Sequence, residues 1–197
     1  MSHPIRRRLA AAALRLLGWK IDFHGWPAPR GVVLAYPHTS NWDFVIGLLA
    51  IWSIELEVKF VGKHTLFRWP LGAVMRSWGG LPIDRRSPQG AIRALADLIR
   101  TEPSCWVAIA PEGTRRLTPG WRSGFYHLAQ ELDAPIGLGV IDYGSKQIIL
   151  KRFIRLGTES KAADTMIEIA RYYAPFRGRK PGNASPIRLV ERRDRKQ

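Results

Sequence analysis

Cysteine is nearly absent from this chain: Cys105 is the only one in 197 residues. An internal disulfide is therefore impossible, and no cysteine–histidine zinc pattern is present. Cys105 sits in the apolar run Cys105-Trp106-Val107-Ala108-Ile109, where a small buried thiol without redox chemistry is expected. No apolar run approaches the ~20 residues of a membrane-spanning helix. Arg6-Arg7-Arg8 followed by residues 9–17 has the outline of a signal peptide. Arg15 interrupts it and no small-residue cleavage site follows, so the segment is expected to be retained. Internal repeats are missing. Acidic side chains are scarce, 16 against 31 Lys and Arg, for a formal net charge of +15.

That imbalance should attract polyanions: nucleic acid, anionic lipid surfaces or phosphorylated substrates. Eight tryptophans accompany the charge, which tilts the balance toward a membrane surface, where Trp and basic residues both collect. Single-stranded nucleic acid also suits a basic, aromatic surface, but no RNA- or DNA-binding motif is legible. The expectation is a cytoplasmic protein, peripheral on the inner face of the cell membrane, with nucleic acid an unlikely partner. Apolar residues make up 46%, enough for one domain with a real core and too short a chain for two comfortable ones. Residues 1–176 are read as that domain. Residues 177–197, rich in Arg, Lys, Pro and Gly, are read as a disordered basic tail.

Periodicity predicts strands over 31–36, 56–61, 79–83, 104–110, 135–141 and 148–153, and helices over 43–52, 88–100, 123–132 and 161–173. Residues 63–78 should form short helical pieces broken by Pro70. Their apolar side chains serve either an acyl groove or the core. Residues 4–19 predict a basic amphipathic helix with Ile5, Leu9, Ala12 and Leu16 on one face, suited to an anionic membrane or to the protein's own core. Alternating strands and helices argue a layered α/β fold, with a mostly parallel central sheet flanked by helices and the basic helix at the N-terminus. Ligands in such sheets bind beyond the carboxyl ends of strands. Three polar stretches follow predicted strands: 38–43, 84–86 and 112–115.

The first is Pro37-His38-Thr39-Ser40-Asn41-Trp42-Asp43. Within one regular helix His38 and Asp43 would be about 140° apart. They can meet if His38 lies in the loop and Asp43 in the first helical turn. Asp43 could then fix which ring nitrogen of His38 takes a proton. Ser40-x-x-Asp43 equally matches a capping box, in which Asp43 serves only the helix start. With no serine in a nucleophile-elbow setting and Cys105 in a strand, direct transfer between two bound substrates is favoured over a covalent intermediate. Arg85 and Arg115 are candidates for an anionic group. Gly113 permits close backbone approach. Glu112 could bind nearby backbone or Arg115.

His38-x4-Asp43, Gly79-x3-Ile83-Asp84-Arg85, Glu112-Gly113-Thr114-Arg115 and the later Pro135 resemble, in order and spacing, the motifs of the glycerolipid acyltransferase family. That group includes 1-acyl-glycerol-3-phosphate acyltransferases. The resemblance spans residues 31–140. It implies His38 as general base toward an acceptor hydroxyl and Asp43 as its orienting carboxylate. Arg85, Glu112, Gly113, Thr114 and Arg115 would hold a lysolipid acceptor, with Arg115 toward its phosphate. Pro135 would shape the site near the acyl donor. The donor would be acyl-CoA or acyl-carrier protein as a substrate, with no cofactor and no metal. Pro37 stands where the family often has Asn, and Pro82 where it often has Phe. Lysophosphatidic acid is the default acceptor, and other lysolipids, including amino-acid lipids, stay open. A catalytically inactive lipid-binding relative is the remaining alternative.

Overall fold

The computed structural model describes residues 4–83, 88–157 and 161–190, without the side chains of residues 88 and 89. Among the described residues, eight strands form one sheet. They are β1 (Lys20–Phe23), β2 (Arg30–Tyr36), β3 (Val58–Lys63), β4 (Gly80–Ile83), β5 (Cys105–Ile109), β6 (Ile136–Asp142), β7 (Gln147–Leu150) and β8 (Phe153–Ile154). The order is β1-β7-β6-β2-β5-β3-β4, with β8 beside β6. From β6 through β2, β5 and β3 to β4 every pairing is parallel; β7 and β8 pair with β6 antiparallel. The layered, mostly parallel α/β expectation holds. The run expected over 148–153 is divided between β7 and β8, and β1 adds an edge strand beside β7.

The helices are α1 (Pro4–Leu16), α2 (Asn41–Ser53), α3 (Leu71–Ser77), α4 (Pro88–Thr101), α5 (Gly124–Leu132) and α6 (Ala162–Tyr173). Side chains alternate across a strand, and β2 shows the consequence. Val32, Leu34 and Tyr36 enter a core completed by Leu95 and Ile99 of α4, Phe125 and Leu128 of α5, and Met166 and Ile169 of α6. Val33 faces the other side, against Trp106. The Trp106 ring lies where a Cβ on Gly31 would come within 2.3 Å, so only glycine fits opposite it. Burying such a side chain contributes roughly 2–3 kcal/mol.

On that second side α1 and α2 pack together, with Leu14 and Trp19 against Ile46 and Ala50. The N-terminal helix packs on the protein's own core, through a face other than the apolar one expected. Ala10 and Leu14 are buried, whereas Ile5, Leu9 and Leu16 remain exposed. Arg7 reaches Glu55 at 3.4 Å, and Arg6 lies over the Trp52 ring at 5.3 Å. No helix among the described residues is long and apolar enough to cross a membrane.

Residues 177–190 correct the expectation of a disordered tail; 191–197 lie outside the described residues. The Arg177 N–H donates to Asp142 Oδ1 at 2.8 Å, and its carbonyl accepts from the Tyr143 N–H at 2.9 Å. Trp121 and Leu189 form a parallel bridge further on, with the Val190 N–H donating to the Trp121 carbonyl at 3.0 Å. Composition suggested disorder because the segment has few apolar residues. Its order comes instead from polar bonds to distant loops and from Ala184, Ile187 and Leu189 packing on the core.

Candidate active site

Because β6, β2 and β5 are parallel neighbours, the chain leaves all three on the same edge of the sheet. His38 follows β2, Glu112 follows β5 and Tyr143 follows β6, and these three loops meet there. The residues before α2 carry the predicted stretch. Ser40 is the N-cap in extended conformation, and the capping box is complete. Asp43 Oδ2 accepts the N–H groups of Thr39 at 2.7 Å and Ser40 at 2.8 Å. The same oxygen lies 3.6 Å from His38 Nδ1, close enough for charge pairing but beyond a good hydrogen bond. The two sequence readings are therefore not exclusive: the capping box holds the carboxylate in place beside the imidazole.

Asp43 is buried, and its second oxygen is satisfied as well. The Tyr143 hydroxyl donates to Oδ1 at 2.8 Å. Burial, and then this bond to a carboxylate, push the Tyr143 phenol well above its ordinary range, so it stays a donor. Burial lowers the His38 pKa; Asp43 opposes that, and Arg115 adds to it. The imidazole is thus neutral at pH 7. With Nδ1 toward Asp43, Nε2 is the nitrogen left to take a proton.

Glu112 is 1% exposed. Its Oε2 accepts the His38 N–H at 2.8 Å, and its Oε1 accepts the Ser185 N–H at 2.8 Å. Of its expected roles the backbone one is found, in a carboxylate closed off from solvent. Burial pushes its pKa up, and the bonds from Ser185 and His38 oppose this. Gly113 has φ +68°, and a Cβ there would meet Arg122 Nε at 2.7 Å. The left-handed backbone and that close approach both require glycine. Thr114 accepts from the Arg116 N–H through Oγ1 at 3.4 Å. Arg85 lies outside the described residues. Pro135 immediately precedes β6, roughly 26 Å along the strand from Tyr143 at ~3.3 Å per residue. It sits at the opposite end of the sheet and does not shape this site, because its strand runs parallel to β2.

Arg115 lines a cleft of about 460 Å³ with Arg116, Arg179, Lys180 and the residues that start α2. The lining starts at Thr39, next to His38, and holds four cationic side chains and no acidic one among the described residues. A second cleft, of about 310 Å³, is apolar. It lies between β4 residues such as Leu81 and α4 residues such as Leu95 and Leu98. Nothing from residues 63–78 lines it: there Phe67 joins the interior, while Leu66, Trp69, Leu71 and Val74 face outward. Sequence reasoning missed Tyr143, Ser185 and the basic pair Arg179 and Lys180. Tyr143 alone carried a signal, since it follows a predicted strand on the functional edge.

An imidazole beside a fixed carboxylate, next to a cationic cleft, is chemically suited to take up a proton close to a bound anion. Residues 20–137 match the acyltransferase family model. The chain belongs to that family and is an enzyme of acyl transfer. A solved structure similar in fold is that of the 1-acyl-sn-glycerophosphate (LPA) acyltransferase PlsC from Thermotoga maritima. Its TM-score is 0.56 at 15% identity, over 87% of this chain and 77% of that one. No curated protein sequence matches.

Proposed function

We propose that this enzyme moves a fatty acyl group from a thioester of coenzyme A or acyl-carrier protein to the hydroxyl of a lysophospholipid in phospholipid biosynthesis. 1-Acyl-glycerol-3-phosphate is the acceptor that fits best. The observation that carries this reading is the 3.6 Å His38–Asp43 pair adjoining a cleft with four cations. Nε2 of His38 takes the proton of the acceptor hydroxyl as the oxygen attacks the thioester carbonyl. The new C–O bond forms, the C–S bond breaks, and the departing thiolate takes the proton from the imidazolium. Asp43 steadies the positive charge on the ring during that interval. Arg115 pairs with the acceptor's phosphate through charge-assisted hydrogen bonds.

The exposed apolar residues supply a way to reach a lipid substrate. Ile5, Leu9 and Leu16 on α1, and Trp69 and Leu71 around the start of α3, lie open to solvent, with Trp69 at 94%. Together with the N-terminal arginines they suit a peripheral seat on an anionic membrane. The test is transfer of labelled acyl chains from both carriers to a panel of lysolipids. Phosphate-headed acceptors should be preferred. Arg115→Ala should raise the acceptor KM more than it lowers kcat. Wild-type turnover in His38→Ala would overturn the mechanism.

A further inference from the structure

The basic pair Arg179 and Lys180 stands outside the stretch that matches the family, residues 20–137, yet it lines the same cleft as Arg115 and Arg116. It is held there by backbone contacts. The Lys180 N–H donates to Thr39 Oγ1 at 3.1 Å. Gly178 is pressed so closely on this loop that a Cβ would come within 2.8 Å of Thr39 Oγ1 and 3.0 Å of Pro37 Cβ. Further along, the Asn183 side-chain amide donates to the Arg115 carbonyl at 3.1 Å. Ser185 ties the segment to Glu112, to the Tyr36 hydroxyl at 3.1 Å through its carbonyl, and to the Thr118 N–H at 3.0 Å through its hydroxyl. The segment is a strap across both catalytic loops, and its position is set before any substrate arrives.

Holding four cations around one cleft is unfavourable unless an anion enters. The two carboxylates of the site do not relieve it. Neither Asp43 nor Glu112 lines the cleft, and their oxygens are committed to N–H and O–H donors. The first residues of α2 add the partial positive charge of a helix N-terminus. Arg179 also lies 5.2 Å over the Trp42 ring and against the Tyr143 hydroxyl, whereas Lys180 has no such tie to the catalytic pair.

We propose that this strap supplies the second half of the acceptor's phosphate subsite, with Lys180 and Arg179 opposing Arg115 and Arg116. The subsite is built for a phosphomonoester dianion. A head group carrying an ammonium would add a fifth cation, with no carboxylate to meet it among the described lining residues. The proposal rests on the acyl-transfer reading for the identity of the ligand, but its phosphate chemistry is testable apart from turnover.

The experiment titrates the full chain with inorganic phosphate, followed by ³¹P line broadening, and separately measures both KM values. Lys180→Ala should weaken phosphate roughly 10-fold, the scale of one charge-assisted hydrogen bond, and Lys180→Arg should restore most of it. In turnover, Lys180→Ala should raise the KM for 1-acyl-glycerol-3-phosphate by a similar factor, with kcat and the donor KM nearly unchanged. Unaltered phosphate affinity in the Arg179→Ala/Lys180→Ala double variant overturns the proposal. So does a rise confined to the donor KM, which would give the cations to coenzyme A's phosphates. Full turnover in His38→Ala defeats the acyl-transfer mechanism instead and leaves the phosphate titration to be judged by itself.

Discussion

Two polar segments meet at the carboxyl edge of the sheet, and they differ in how they are held. Residues 37–43 are organised locally: Asp43 bonds to N–H groups three and four positions earlier, and α2 begins at once. Residues 177–190 have little local structure beyond the short 3₁₀ turn Pro181–Asn183. They are fixed by partners far away in the chain, such as Glu112, 73 positions from Ser185, and Thr39, 141 positions from Lys180. The loop carries the imidazole, and the strap decides what surrounds it. A catalytic motif can thus be complete in sequence while half of its cleft comes from elsewhere.

The largest effect should come from the loop itself. His38→Ala removes the proton acceptor and should lower kcat by roughly 10²-fold or more. In the wild type, burial keeps the His38 pKa low, so the acid limb of kcat/KM should fall below the ordinary histidine value of about 6.5. Protonation disables the base, so activity drops only as pH passes down through that lowered value. Asp43→Asn removes the one interaction that raises the pKa. It should move the limb lower still while reducing kcat. A limb at or above 6.5 in the wild type would contradict a buried, neutral base.

Next is the joint between the two segments. Glu112→Ala orphans two buried N–H groups, costing roughly 2–5 kcal/mol. At this chain length that is a fall in Tm of about 10 °C, measurable by calorimetry. Activity should fall with it, because the His38 backbone loses its anchor. Glu112→Gln keeps one acceptor and should lose about half as much stability. If both variants melt like wild type, the carboxylate is not the joint.

Gly178→Ala tests the close approach of the strap with a single methyl group. It forces Thr39 or Pro37 to yield, an overpacking cost of roughly 1–3 kcal/mol. Steady-state kinetics should show a larger loss in kcat/KM for acceptor than for donor. Equal loss for both would mean the strap only stabilises the fold. Tyr143→Phe should be mildest. It removes one hydrogen bond to Asp43 and costs roughly 0.5–1.5 kcal/mol of stability, with a few-fold lower kcat.

Much of the parallel sheet was legible, because buried strands such as β2 and β5 read as short apolar runs bounded by turn residues. α2 was legible from its cap, and α4 from the stripe of Ile92, Leu95 and Ile99. The site was legible where its logic is short in range. That a histidine and an aspartate five positions apart lie on either side of a helix start follows from backbone geometry alone. Glu112 was read with more than one possible role, and the structure shows the backbone one. Pro135 was assigned to the site by resemblance alone, although the strand predicted over 135–141 already placed it at the end opposite the functional loops.

By itself, then, the chain's order of residues determined the strand and helix pattern, the imidazole–carboxylate pair and the excess of positive charge. Those depend on local propensity, periodicity and composition. Only the tertiary structure decided that Tyr143 supports Asp43, that Glu112 is buried and accepts two backbone N–H groups, and that residues 177–190 form a strap. Each of these needs parallel strands to bring distant loops to one edge, where buried donors and acceptors must find partners or lose more than they gain.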